Sequence, residues 1–169
     1  MPCLPEEIDL DFVTVLQRRP WDCPAGFREV LQAGGFRLIR ILIVDDNPAV
    51  RRYLRAILEQ QEAWRVCGEA RTGAEALHQV LESPPDLVVL DYQMPDLNGV
   101  DVAKQISEMF PKIPILMVTL HLSKQLAEAA REAGVRGACA KQDIGSVVEA
   151  VEILLHDQTY FPKSTGTGA

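Results

Sequence analysis

Four apolar runs of this sequence each close on a residue able to do polar chemistry. Ile41-Leu42-Ile43-Val44 leads into Asp45-Asp46-Asn47, and Leu87-Val88-Val89-Leu90 into Asp91. Ile115-Leu116-Met117-Val118 leads into Thr119, and Ala138-Cys139-Ala140 into Lys141. Carboxylates gathered in one place repel each other, which raises their pKa values or demands a cation. An anionic, oxygen-rich pocket of this kind suits Mg2+, which takes one or two carboxylates and keeps several waters. A hydroxyl and an ammonium beside it would be odd in a site that only stores metal. They suit the equatorial oxygens of a phosphoryl group, whose charge must be neutralised during in-line transfer. A carboxylate can serve as nucleophile, giving an aspartyl phosphate. Taken singly, each residue has a bland reading: helix cap, turn, strand end, solvated lysine. Their joint placement is what speaks for chemistry.

The residues meet only if their strands lie side by side. Five apolar runs, 38–44, 64–70, 86–90, 114–119 and 135–140, alternate with segments of helical period. The first, third and fourth are nearly continuous Ile, Leu and Val, as expected of strands covered on both faces in a parallel sheet. Asn47 with Pro48 opens a first helix carrying Val50, Leu54, Ile57 and Leu58. Thr72 and Glu75 form a capping box for a second, and Asn98 opens a third. Ser123 opens a fourth, stopped at Gly134, and Asp143 caps a fifth. The fourth helix buries the smallest side chains and is expected to be the least firmly anchored. The pattern predicts an α/β fold, a flavodoxin-like (βα)5 doubly wound parallel sheet with strand order 2-1-3-4-5. Ligands of such sheets bind at the carboxyl ends of the strands, where Asp45, Asp46, Asp91, Thr119 and Lys141 would converge.

Composition narrows the function classes. The chain has 169 residues, 47% hydrophobic and 24% charged, with a formal net charge of -7. That is enough for one well-cored domain, and the acidic balance argues against a nucleic-acid surface. No apolar stretch approaches the roughly 18 residues of a membrane span. Met1-Pro2-Cys3-Leu4 lacks the cationic start of a secretory signal, so a cytoplasmic protein is expected. Cys3, Cys23, Cys67 and Cys139 lack the spacing of a zinc site, and the last two read as small packing residues within strands. His78, His121 and His156 have no partner spacing. Arg51, Arg52 and Arg55 read as a solvated helix face or as a place for an acidic partner.

The ordered set Ile41 to Asn47, Pro85 to Asp91, Met94-Pro95 with Asn98-Gly99, Thr119, and Gly137 to Lys141 resembles the receiver domain of bacterial two-component response regulators. The resemblance covers about residues 38–157 and is closest in style to receivers of LuxR/NarL-type regulators, without their helix-turn-helix. It implies that Asp91 takes a phosphoryl group from a sensor histidine kinase or a phosphotransfer protein. Mg2+ would be bound directly by Asp46 and Asp91, through water by Asp45, and by the backbone carbonyl of Gln93. Thr119 would hydrogen-bond one phosphoryl oxygen and Lys141 would pair with another. The domain would catalyse only its own phosphorylation and dephosphorylation, and its output would be a shift of the fourth helix that switches partner binding. Two positions depart from the family pattern. Ala138 stands where an aromatic residue usually swings inward, and Gln142 where a proline often follows the lysine, so a trans bond is expected there.

Residues 1–37 fall outside the pattern and read as an N-terminal extension, with an amphipathic helix over 6–19 and a loop over 20–35. The native start is expected to lie near Leu38, the alternative being a docking segment built on Phe12, Val13, Val15 and Leu16. Residues 158–169 read as a flexible tail. Thr159-Tyr160-Phe161-Pro162 resembles the entry to a linker toward a DNA-binding domain, yet no helix pair or basic recognition helix follows. Direct DNA binding by this chain is therefore not expected, and a homodimer stays open. Two other classes compete. A pseudo-receiver would use the same fold as an interaction module that does not need phosphorylation. A flavodoxin-like cofactor protein would want a Gly- or Ser-rich phosphate loop after the first strand, where Asp45-Asp46 is electrostatically wrong. Asp96, five residues after Asp91, is a weak signal for a second acid.

Overall fold

The computed structural model describes residues 37–161 except Ile144. All but Arg37 of the extension read over 1–37, and the tail residues 162–169, lie outside them. Five strands, β1 (Ile39–Val44), β2 (Trp64–Ala70), β3 (Leu87–Asp91), β4 (Ile115–Thr119) and β5 (Gly137–Ala140), alternate with five helices. These are α1 (Pro48–Leu58), α2 (Gly73–Glu82), α3 (Gly99–Met109), α4 (Lys124–Glu132) and α5 (Gly145–Leu155). The strands form one parallel sheet in the order β2-β1-β3-β4-β5, as the sequence pattern predicts.

Alternation along each strand divides the core in two. Ile41, Ile43, Leu87, Val89, Leu116, Val118 and Cys139 face α1 and α5, meeting Leu54, Leu58, Val147, Val151 and Leu154. Leu42, Val44, Val88, Leu90, Ile115, Met117 and Ala138 face the other way, toward Ala76 and Val80 of α2, Val102 and Ile106 of α3, and Ala130 of α4. Each buried Leu or Ile contributes about 1.5–3 kcal/mol. Because both faces are covered, β3 and β4 carry no polar residue until their carboxyl ends. Helix α4 buries only Ala130 completely, in line with its small side chains. Burial pushes the Cys139 thiol up to about 12, against a weaker lowering by Ser146, so this cysteine is a packing residue.

Four of the expected caps are in place. The side chains of Asn47, Thr72, Asn98 and Ser123 accept backbone N–H groups of Ala49, Glu75, Asp101 and Leu126 at 2.9, 3.1, 3.0 and 3.1 Å. The capping box at α2 closes differently. Glu75 accepts the N–H of Arg71 at 2.8 Å, and the free N–H groups of Gly73 and Ala74 go to Asp96, at 2.9 Å each. The fifth expected cap, Asp143, adjoins Ile144, which lies outside the described residues. A short 3-10 turn, Lys141–Asp143, carries the chain away from β5, and the Asp143 carbonyl accepts Ser146 Oγ at 2.6 Å as α5 begins at Gly145.

Past residue 157 the chain returns to the edge of β5. Asp157 turns it with a φ of 58°. Tyr160 then runs parallel to β5, donating to the Arg136 carbonyl at 3.0 Å and accepting the Ala138 N–H at 2.7 Å. The Arg131 guanidinium lies 3.9 Å from the centroid of the Phe161 ring, which packs on the α4 side of the sheet.

Asp96 offers a test of this architecture. Backbone hydrogen bonds from Ala74 and Gly73 hold its carboxyl below the ordinary 3.8. A depressed carboxyl stabilises the fold above its unfolded pKa, and that contribution is lost as pH falls through the folded value. Asp96→Ala is therefore expected to lower the melting temperature at pH 7, the gap to wild type closing as pH drops below about 3.8. A gap that does not change with pH would mean that the carboxylate is not what caps α2.

Candidate functional site

Strand register sets the site. Val44 pairs with Leu90, Asp91 with Val118, and Thr119 with Ala140, so β1, β3, β4 and β5 end on one level. Asp45, Asp46, Asp91 and Lys141, which follow or close β1, β3 and β5, meet in one crevice there. Lys141 Nζ reaches Asp45 Oδ2 at 2.6 Å and Asp91 Oδ2 at 2.9 Å, and all three side chains are at most 9% exposed. Ligand oxygens of Asp45, Asp46 and Asp91 lie within 4.8 Å of one another. Asp45 and Asp91 are buried and Asp46 is exposed.

The local chemistry follows from burial and charge. Desolvation is the largest influence on Asp91 and pushes its carboxyl above 3.8. Lys141 and a backbone hydrogen bond from Gln93 oppose the rise, while the charge of Asp45 adds to it. Burial works against the Lys141 ammonium, but its hydrogen bonds to Asp45 and Asp91 outweigh that and hold its pKa above 10.5. The lysine is thus a fixed positive charge between two carboxylates. Three carboxylates against one ammonium leave the pocket short of positive charge. The oxygen-only donor set fits a hard divalent cation such as Mg2+ and not a metal that prefers nitrogen or sulfur.

The rim is shaped by the loops that follow the strands. Asn47 caps α1 and donates its own N–H to Asp45 Oδ1 at 2.9 Å, which fixes that carboxylate from the side opposite Lys141. Gly99 donates its N–H to the Tyr92 carbonyl at 2.7 Å, and a Cβ there would run into the Asp91 carbonyl oxygen. Asn98-Gly99 is therefore what lets α3 start against the end of β3. Thr119 is buried at the end of β4. Gln93 lies just past Asp91 in the exposed loop. Ala138 is completely buried in the cluster that also receives Phe161. Gln142 donates to the Leu120 carbonyl at 2.8 Å through a trans chain, since no cis bond occurs among the described residues.

Two arrangements were not legible in the sequence. Arg51 and Arg55 are not a solvated face: both bind Glu69 of β2, at 3.0 and 2.8 Å, and Arg51 also donates to the carbonyls of Asp45 and Asp46. Arg52 alone of the three is exposed. Asp96, weighed as a second acid, is committed to the α2 N-terminus. The only sequence signal for the arginine pair was its spacing of four, which puts both on one side of α1.

Comparison with known proteins agrees with this geometry. A family model described as the response regulator receiver domain matches residues 41–152. Transcriptional regulatory protein LnrK of Bacillus subtilis (strain 168) is 36% identical over 115 residues, 68% of this chain and 52% of that protein. A protein-glutamate methylesterase/protein-glutamine glutaminase of Pyrococcus abyssi is 41% identical over 93 residues, 55% of this chain and 25% of that one. The chain thus spans between a quarter and about half the length of these two relatives. The crystal structure of a LuxR-family two-component response regulator from Aurantimonas sp. SI85-9A1 superposes with a TM-score of 0.70 at 32% identity, covering 73% of this chain and 89% of that one. With the five-stranded order, the acid cluster and its bridging lysine in place, the chain belongs to the receiver domains of two-component response regulators.

Proposed function

We propose that this receiver accepts a phosphoryl group on Asp91 in an Mg2+-dependent reaction and thereby switches partner binding. The observation that carries the reading is Lys141 Nζ, 2.6 Å from Asp45 and 2.9 Å from Asp91 at the carboxyl edge of the sheet. The donor is a phosphohistidine on a sensor histidine kinase or a phosphotransfer protein. An Asp91 carboxylate oxygen forms the new bond to phosphorus as the P–N bond breaks, and the imidazole leaves with the electron pair. Asp46, Asp91, the Gln93 carbonyl and, through water, Asp45 would hold Mg2+. When bound, it supplies positive charge to the phosphoryl oxygens. Lys141 neutralises a further oxygen, and the Thr119 hydroxyl donates to another. Desolvation raises the basicity of Asp91, which favours its attack.

Output through α4 agrees with the light anchoring of that helix. The test uses acetyl phosphate as the donor, with and without Mg2+, read by intact mass. A gain of one phosphoryl group only in Mg2+ is the expected result. Borohydride reduction of the acyl phosphate should then mark Asp91 in the peptide map. No adduct and no binding of beryllofluoride would overturn the reading in favour of an interaction module that works without phosphorylation.

A further inference from the structure

We infer that Arg51 is a positioning residue for the acidic site, held in place by Glu69. The inference rests on the Mg2+ site proposed above. Arg51 stands one turn inside α1, where its backbone N–H bonds the Asn47 carbonyl at 3.1 Å. Its side chain doubles back over the start of the helix. Nη1 donates to the Asp45 carbonyl at 2.7 Å and to the Asp46 carbonyl at 3.2 Å. Nε pairs with Glu69 Oε2 at 3.0 Å, and the side chain is only 11% exposed. Nη1 therefore grips two successive carbonyls of the acidic loop while Nε holds Glu69, a division of donors along the guanidinium fork that a lysine ammonium does not reproduce.

Glu69 is itself fixed from three sides. Its second oxygen accepts Arg55 Nε at 2.8 Å, and its backbone carbonyl accepts Gln79 Nε2 at 2.8 Å. The next residue, Ala70, accepts the Asp45 N–H at 3.1 Å. Asp45 is thus held at its N–H by β2, at its carbonyl by Arg51, and at its carboxylate by Asn47 and Lys141. Asp46 is exposed, and Arg51 holds its carbonyl. With that backbone gripped, the exposed carboxylate is presented in a fixed direction toward the cluster it forms with Asp45 and Asp91. Holding a ligand before the ion arrives removes an ordering cost from binding.

The charge of Arg51 works against such a role, and this makes the test sharp. A cation beside an Mg2+ site repels the metal, so on electrostatic grounds alone removing it would tighten binding. Positioning predicts the opposite sign. Mg2+ is titrated calorimetrically into the full chain at a temperature where circular dichroism shows every variant folded. Arg51→Met is expected to bind Mg2+ about tenfold more weakly than wild type, or 1.4 kcal/mol. Arg51→Lys, which keeps the charge and loses the fork, is expected to fall between the two. Because Arg51→Lys leaves the charge unchanged, any weakening it shows comes from geometry, and it carries the test if Arg51→Met does not fold. Binding by Arg51→Met, or by Arg51→Lys in its place, that equals or exceeds wild type overturns the inference while leaving the Mg2+ site standing. Absence of Mg2+ binding by wild type would bring down both.

Discussion

Asp91→Asn is expected to end phosphorylation by acetyl phosphate and, at the same time, to raise the melting temperature at pH 7 in Mg2+-free buffer. The first effect is all or none. The amide has no anionic oxygen with which to form the bond to phosphorus, and Asp45 and Asp46 belong to other chain segments than the end of β3. The second effect follows from burial. Asp91 is 4% exposed, and desolvation holds its carboxyl above the ordinary 3.8 despite Lys141. A carboxyl with a raised folded pKa contributes most below its unfolded value, and that contribution is lost as pH rises through the folded value. At pH 7 the ionised group is therefore a burden on the fold, and the neutral isostere relieves it. Lys141 keeps Asp45 as its partner in the variant. The stability difference should shrink as pH falls through the folded pKa, where wild type becomes neutral at this position as well. An adduct on the variant would move the phosphoacceptor elsewhere. A lower melting temperature at pH 7 would show that the pairing of Asp91 with Lys141 outweighs its desolvation.

The same comparison shows which features a sequence can display. The meeting of Asp45, Asp91 and Lys141 was legible because a parallel sheet brings its carboxyl ends to one level, so topology alone makes these residues neighbours. The caps at Asn47, Thr72, Asn98 and Ser123 were legible because cap and recipient are two or three residues apart. What stayed hidden were the contacts that cross between elements. Glu69 lies 18 residues from Arg51 and Asp96 lies 23 from Gly73, and in each case an ordinary surface residue is turned into a brace by the packing of its element. Tyr160 and Phe161 were hidden for another reason. A single-residue bridge at Tyr160 has no alternation to read, and only the free edge of β5 makes it one.

Lys141→Met is expected to move stability the other way, lowering it by about 3–5 kcal/mol at pH 7 without metal, because it leaves Asp45 and Asp91 buried without their cation. Deleting a carboxylate and deleting the ammonium thus have opposite signs, as an excess of negative charge in the pocket requires. Lys141 has its pKa held above 10.5, so its contribution is present throughout the range below that value and is lost only as pH rises through the folded pKa. The deficit in the variant should nevertheless narrow toward acid pH, where Asp91 takes up a proton and no longer needs a partner. Mg2+ should narrow it at neutral pH. An ion that binds only the folded state stabilises by about 2.7 kcal/mol at a hundred times its dissociation constant, and in the variant it no longer competes with an ammonium for Asp45 and Asp91. Urea midpoints of wild type and variant, with and without Mg2+, decide the matter. A deficit that Mg2+ leaves unchanged would mean that lysine and metal act on different groups, and that the bridge from Asp45 to Asp91 is a structural tie instead of the resting state of a phosphoryl-transfer site.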